Sequence, residues 1–227
     1  MKIDLHCHSY HSDDGVYSPE RIIKTAKEKG LDGIALTDHN TTSGWPEAIE
    51  AAKKHGLLLI LGEELKIKKN GRTIGEMIGY FLKQEINPKG KTVEQIIEEI
   101  KKQGGLAIIV HPFYWRKPFK ELEKYKNLVD GIEVFNSRSQ TKNGNKKALE
   151  FAKSNNLVMT AGSDTHSCFE VGQAYIEVDA NDLEGIRKAI LEKKVKIIGR
   201  QSPIYVQIFA TIGKIMHLFW KPKAFKK

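Results

Sequence analysis

Asp4-Leu5-His6-Cys7-His8, followed closely by His11, Asp13 and Asp14, is the stretch whose reading decides the fold. Side chains alternate faces along an extended strand, so His6 and His8 project to one side, within reach of a single divalent cation, and Cys7 points the other way. A His-x-His pair alone is weak evidence in a chain with 8 histidines. Repetition strengthens it: His39, Glu64, His111, Asp164 and His166 each sit just past an apolar run that reads as a strand.

Outward from that stretch, short apolar runs alternate with amphipathic ones. Lys2 to His8 is the first strand, and Ser18-Pro19-Glu20 supplies a cap, a proline at the first helical position and an early acid for a helix stopping at Gly30. Asp32 to Thr37 is a strand, followed by a helix from about Ser43 to His55 and a strand from Leu57 to Leu61. Asn70-Gly71 between two apolar runs signals a hairpin inserted before the fourth strand. Thr92 and Gln95 form a capping box for a helix to Gln103, and Leu106 to Val110 is a strand. Gly131 to Phe135, Leu157 to Ala161, Ala174 to Val178 and Val195 to Ile198 are further strands, with a helix near Asn145 to Asn155 and another capped by Asn181.

Strand-helix alternation of this kind makes a mainly parallel sheet, open and doubly wound or closed into a barrel. His8, His39, Glu64, His111 and Asp164 all lie at the C-terminal ends of their strands, where a barrel gathers its active site. An open sheet concentrates such residues at one switch point, and the chain has no GxGxxG or GxxxxGK[ST] between a strand and a helix. The expectation is one α/β domain, a barrel of about seven strands over residues 1–200, with an apolar then basic extension over 201–227.

Composition sets bounds. The 227 residues suffice for one substantial core, and 40% hydrophobic with 29% charged residues excludes disorder. A formal charge of +9 suits an anionic substrate or partner. Two cysteines, Cys7 and Cys168, cannot staple a chain of this size and are expected reduced. The opening residues leave no room for an apolar signal core, and no apolar run reaches the roughly 18–20 residues of a membrane span, so a cytoplasmic protein is expected.

Imidazoles mixed with carboxylates, with no thiolate required, suit two or three divalent ions such as Mn, Zn or Fe. Ions a few ångström apart hold a bridging hydroxide and polarise a phosphoryl group, the machinery of phosphoester hydrolysis without a side-chain nucleophile. The segments Asp4–Ser9, Ser12-Asp13, Thr37-Asp38-His39, Gly62-Glu63-Glu64, His111-Pro112, Gly131–Val134 and Gly162–His166 run in the order found in a known family. They resemble the PHP (polymerase and histidinol phosphatase) domain of metal-dependent phosphoesterases.

That resemblance implies a distorted (βα)7 TIM-like barrel with up to three metals in a cleft at the C-terminal strand ends. It implies His6, His8, Glu64 and Asp164 as ligands of the first ion, with Glu64 bridging to a second that His111 also holds. Asp13, His39 and His166 correspond to the third set, Asp13 being preferred to Asp14 for its spacing from His8. Where many members carry a histidine, this chain has Glu76, which still ligates through its carboxylate. Asp38 reads as an orienter of its neighbours and Glu133 as either a family site residue or a partner of a buried neighbour. His11 reads as a loop histidine.

Arg116 and Arg138 fall on loops after barrel strands and are candidates for binding substrate phosphates; Lys117 reads as an ordinary loop residue. Tyr114 and Trp115 either stack on a base or pack the loop onto the rim. Ile204 to Phe219 is apolar with Lys214 its one charge, and Lys221, Lys223, Lys226 and Lys227 follow. It either docks on the barrel's outer face, lies on a membrane surface or mediates dimerisation. The expected activity is hydrolysis of a phosphate ester, on a nucleotide or short oligonucleotide. The alternatives are a small-molecule phosphatase of the histidinol-phosphate type and a metal-bound regulatory module.

Overall fold

The structure, a computed structural model, describes residues 1–219; the basic run from Lys221 lies outside the described residues. Its centre is a sheet whose strands follow the expected alternation. β1 (Lys2–Cys7), β2 (Gly33–Leu36), β3 (Leu58–Lys69), β4 (Arg72–Tyr80), β5 (Leu106–Ile109), β6 (Gly131–Asn136) and β7 (Val158–Gly162) stand side by side in that order. Beyond β7 the wall closes on β1: His8 N donates to Thr165 O at 3.0 Å and Thr165 N to His6 O at 3.2 Å. The result is a nearly closed, distorted TIM-like α/β barrel. β8 (Ala174–Val178) and β9 (Val195–Gly199) form an antiparallel pair, and β8 joins β1 at Lys2 and Ile3, ahead of the residues that meet Thr165.

One strand departs from the expected plan. The Asn70-Gly71 hairpin is not an insertion before the fourth strand, because β4 is itself a wall strand between β3 and β5, antiparallel to both. The turn residues carry φ of 51° and 75°, the left-handed geometry a two-residue hairpin demands. Eight paired positions along β3 and β4, from Gly62↔Tyr80 to Lys69↔Arg72, then fix the return strand against the outgoing one. Their tip extends beyond the barrel, and this places Glu76 opposite Lys66 rather than at a C-terminal strand end.

The helices α1 (Pro19–Glu28), α2 (Trp45–His55), α3 (Val93–Lys102), α4 (Leu122–Tyr125), α5 (Gly144–Ser154) and α6 (Leu183–Leu191) connect these strands. Ser18 accepts from Arg21 N ahead of α1, and Thr92 and Gln95 complete the capping box of α3. The cap of α6 is Asp182 rather than Asn181, because its carboxylate reaches Gly185 N at 2.7 Å. Ile22, Ile23, Ala48, Ile96, Ile97 and Ala148 bury the inner helix faces against the sheet. A second cluster gathers Ile3, Leu5, Ala35, Ile60, Ile78, Tyr80 and Ile108 from five strands, with Ile186 and Ile190 of α6. Within it the Tyr80 hydroxyl donates to Leu5 O at 2.8 Å, bridging strands that are not neighbours in the sheet.

The chain ends in α7 (Gln207–Phe219). It docks across the C-terminal strand ends rather than on the barrel's outer face, and Gly213 makes this possible. A Cβ there would lie 2.3 Å from Asp14 O, so only a glycine lets the two backbones meet. His217 Nε2 lies 2.7 Å from Tyr10 O, while Ile208, Ile215 and Leu218 face away from the barrel and stay exposed. Among the described residues no helix is long and apolar enough to cross a membrane.

Because the Tyr80 hydroxyl spans the buried interior, Tyr80→Phe is expected to lower unfolding stability by about 1–3 kcal/mol, the cost of an unpaired buried carbonyl. Urea denaturation with an unchanged m-value checks this.

Candidate metal centre

Nine ionisable side chains from strands and the loops that follow them meet under α7. β1 delivers His6 and His8, the turn after it Asp14, the end of β2 His39, β3 Glu64, β4 Glu76, β5 His111, and β7 with its loop Asp164 and His166. The backbone is held in left-handed conformations at two of these positions, φ 30° at His111 and 53° at Asp164. Residues with a Cβ tolerate that geometry only where their surroundings over-determine it. At His111 the backbone N–H is fixed by Glu133 Oε2 at 3.0 Å.

The donor atoms converge in three groups. His6 Nε2 and His8 Nε2 stand 3.0 Å apart; Glu64 Oε2 is 3.5 and 3.2 Å from them, and Asp164 Oδ1 3.8 and 3.5 Å. Four donors placed tetrahedrally at roughly 2.0–2.2 Å from one ion would be about 3.3–3.6 Å apart. The other oxygen of Glu64 lies 3.1 Å from His111 Nε2, which is 3.5 Å from Glu76 Oε2. A third group joins Asp14 to His166 Nε2 at 3.1 Å and to His39 Nε2 at 3.7 Å. Asp14 Oδ1, His39 Nδ1 and Glu64 Oε2 are buried without hydrogen-bond partners, although His39 Nδ1 is only 2.9 Å from that glutamate oxygen. These three orphaned buried atoms, amid a mixed imidazole and carboxylate set, fit divalent metals.

Surrounding groups fix the imidazoles for that task. His6 Nδ1 is 2.9 Å from Glu133 Oε1, and a carboxylate accepts, so Nδ1 carries the proton and Nε2 keeps its lone pair for a cation. His166 Nδ1 donates to Asp164 O at 3.0 Å with the same result. Ser12 Oγ donates to Asp38 Oδ1, which leaves it to accept from His8 Nδ1 at 3.0 Å and from His39 N at 2.9 Å. Asp38 also accepts from Ser9 N and Ser9 Oγ, so it orients its neighbours, as its place beside His39 suggests. Asn136, a residue the sequence did not single out, donates to both Glu133 and Asp164. Its signal was its position at the end of the strand that carries Glu133.

The electrostatics ask for positive charge. Burial resists protonation of His6, yet Asp164, Glu133 and Glu64 pull its imidazole well above the usual range. His8 is likewise raised to about 9 against its burial, by Asp164 and Glu64. Conversely, burial works to neutralise Glu64, Asp164 and Asp14, but the facing histidines hold all three well below the ordinary carboxylate range. Carboxylates packed this densely away from water must be balanced by protons or cations.

Three sequence expectations change. Asp14 faces both His39 and His166, because the tight turn at Gly15, where a Cβ would overlap Ser9 O, brings it inward; the Asp13 carboxylate also comes within 4.8 Å of Asp14 and His39, from the exposed side. Asp13 is 58% exposed and pairs with Lys66 at 3.0 Å. Arg138 lines the cleft, but its guanidinium is spent on Glu170 at 2.5 Å and Gln207 at 3.1 Å, so it is not a free phosphate binder. Lys117 is more than an ordinary loop residue: its ammonium rests 2.8 Å from Glu76 and offsets the acid that stands in this position. Arg116 lines the cleft and lies 4.9 Å over the exposed Trp115 ring, while His11 turns to Ser43, away from the cluster. Tyr114, Arg116, Lys117, Gln207, Ala210 and Lys214 form the walls of a cleft of about 160 Å³ above the cluster.

Comparison with known proteins agrees with this geometry. The family model described as PHP domain matches residues 4–201. An uncharacterized protein of Methanocaldococcus jannaschii is 41% identical over 150 residues, covering 60% of this chain and 82% of that protein. A 5′-3′ exoribonuclease of Haemophilus influenzae is 47% identical over 73 residues, 32% of this chain and 26% of that enzyme. A two-domain Bacteroides vulgatus structure, described as containing a predicted PHP-like metal-dependent phosphoesterase, is similar with a TM-score of 0.74 at 23% identity, over 94% of this chain and 69% of that one. The last likeness speaks for the fold; with a family model spanning most of the sequence, the chain belongs to the PHP domain family.

Proposed function

We propose that the protein is a metal-dependent hydrolase of phosphate esters, acting on the phosphorylated end of a nucleotide or short oligonucleotide. The observation that carries this reading is the convergence of buried imidazole and carboxylate atoms from seven segments of the barrel beneath a basic cleft, with Asp14 Oδ1, His39 Nδ1 and Glu64 Oε2 left unpaired. His6, His8, Glu64 and Asp164 would hold one divalent ion, Glu64, Glu76 and His111 a second, and Asp14, His39 and His166 a third. When bound, such ions supply an activated water at neutral pH and neutralise charge on phosphoryl oxygens.

The chain's own residues do the rest. Glu64 offers its two oxygens to two different groups of donors, tying the centre together. Glu133, Ser12 and the Asp164 carbonyl hold protons at the Nδ1 atoms of His6, His8 and His166, so each ring presents Nε2 inward. Arg116 and Lys214 bring positive charge to the cleft walls, where a phosphate enters. Lys117 offsets the charge of Glu76 and keeps the second group from repelling an anionic substrate. At about 160 Å³ the cleft is below the roughly 300–1,000 Å³ of sites that enclose whole ligands, which favours the end of a chain, with its first internucleotide bond, over a bond in mid-strand. The exposed Trp115 beside Arg116 provides a flat surface for an adjoining base.

Incubation with Mn²⁺ and a 5′-phosphorylated oligoribonucleotide tests the reading: release of mononucleotides is expected, absent in Asp164→Ala. An intact oligonucleotide together with intact small phosphate monoesters would refute it. Asp164→Ala should also keep its fold while losing most of its thermal stabilisation by Mn²⁺. At a hundredfold excess over Kd the ion contributes about 2.7 kcal/mol to the wild type, or roughly 5–10 °C in Tm for a domain of this size. Glu133→Gln retains the shape but weakens the hold on the His6 proton, so metal affinity is expected to fall roughly 10- to 100-fold. Isothermal titration calorimetry reads this directly.

A further inference from the structure

Next to the metal cleft runs a larger groove, of about 730 Å³, between the β3–β4 hairpin and the loop that leads into α3. Its lining includes Lys66, Lys68, Lys69, Lys89, Lys91 and Lys124 against a single acid, Glu94. We propose that this groove binds the phosphate backbone of single-stranded nucleic acid, holding the strand whose end enters the metal cleft. The proposal rests on the phosphoesterase reading and names the part of the substrate that the narrow cleft cannot accommodate.

The geometry ties the two sites together. Asn40, at the head of the groove, directly follows His39, and its Oδ1 accepts from Lys66 N at 2.8 Å. Lys66 in turn reaches Asp13, the neighbour of Asp14, at 3.0 Å. A chain leaving the cleft at this rim therefore meets lysine after lysine along the hairpin.

Two of these lysines have no acid to displace. Lys68 and Lys89 are exposed, and among the described residues neither has an acidic partner. Lys69 pairs with Glu121 at 2.7 Å, Lys91 with Glu99 at 2.6 Å and Lys124 with Glu94 at 2.9 Å. The Lys69 and Lys124 pairs are solvent-exposed and weakly held, so a phosphate competes with their acids, whereas the Lys91 pair is half-buried. Asn70, Asn87 and Thr92 add uncharged polar groups. Tyr125, the aromatic residue of the lining, is buried, so no ring is offered for base stacking. Recognition here is by charge and tolerates any sequence.

The test uses the full-length, Mn²⁺-loaded protein and fluorescence anisotropy with a labelled, 5′-hydroxyl phosphorothioate 12-mer over a range of salt concentrations. Lys68→Glu/Lys89→Glu is compared with Lys188→Glu/Lys196→Glu, which makes the same charge change on exposed lysines of α6 and β9. The proposal expects at least a tenfold loss of 12-mer affinity in the groove variant. It also expects a salt slope shallower by about one to two, and wild-type behaviour in the control. Equal losses in both variants, or none in the groove variant, would overturn it. So would equally tight binding of a 12-residue polyglutamate, which would mark an acidic peptide as the partner. Hydrolysis of p-nitrophenyl phosphate or thymidine 5′-p-nitrophenyl phosphate by the wild type, without 12-mer binding, would overturn the groove and leave the phosphoesterase reading standing.

Discussion

Five imidazoles and four carboxylates share one buried centre, and the rest of the structure depends on balancing their charge. Isolated carboxylates buried in this way would be neutralised by protonation. Here the histidines facing Glu64, Asp164 and Asp14 keep those acids ionised, and the acids in turn pull His6 and His8 up. A divalent cation would relieve this mutual dependence, since Asp14 Oδ1, His39 Nδ1 and Glu64 Oε2 lack hydrogen-bond partners.

Holding such a centre together needs a frame that cannot relax. The barrel supplies it by ending one strand after another at the same rim and by closing β7 onto β1 through Thr165. Around the donors lies a layer of fixed partners: Glu133 joins His6, His111 N and Asn136, while Asp38 joins Ser9 and, through Ser12, His8 and His39. α7 completes the enclosure, its glycine backbone lying against Asp14. Positioning, burial and access are thus set by three different parts of the chain.

Much of this was legible in the sequence where it rests on local periodicity. Apolar runs followed by His8, His39, Glu64, His111 or Asp164 announce strands that deliver polar groups to one rim, and the caps at Ser18 and Thr92 mark helices correctly. What escaped depends on contacts between distant segments. The hairpin signal at Asn70-Gly71 was correct, but whether β4 joins the wall is decided by its pairing with β5. That Asp14 is the more buried of the two neighbouring acids beside His39 depends on a single tight turn at Gly15. Lys117 and Glu76 are 41 residues apart, and Arg138 finds Glu170 and Gln207 only once the chain has folded. The docking of α7 over the cleft has no local signature beyond one glycine in an apolar helix.

The central claim is that these donors hold divalent cations. Its most direct measurement is diffraction from crystals grown with Mn²⁺, using data collected on both sides of the manganese absorption edge. The account predicts anomalous peaks among His6, His8, Glu64 and Asp164 and between Glu64, Glu76 and His111, with Asp14, His39 and His166 bounding a third. A centre without anomalous signal, its histidines and carboxylates joined by direct, well-aligned hydrogen bonds, would contradict it.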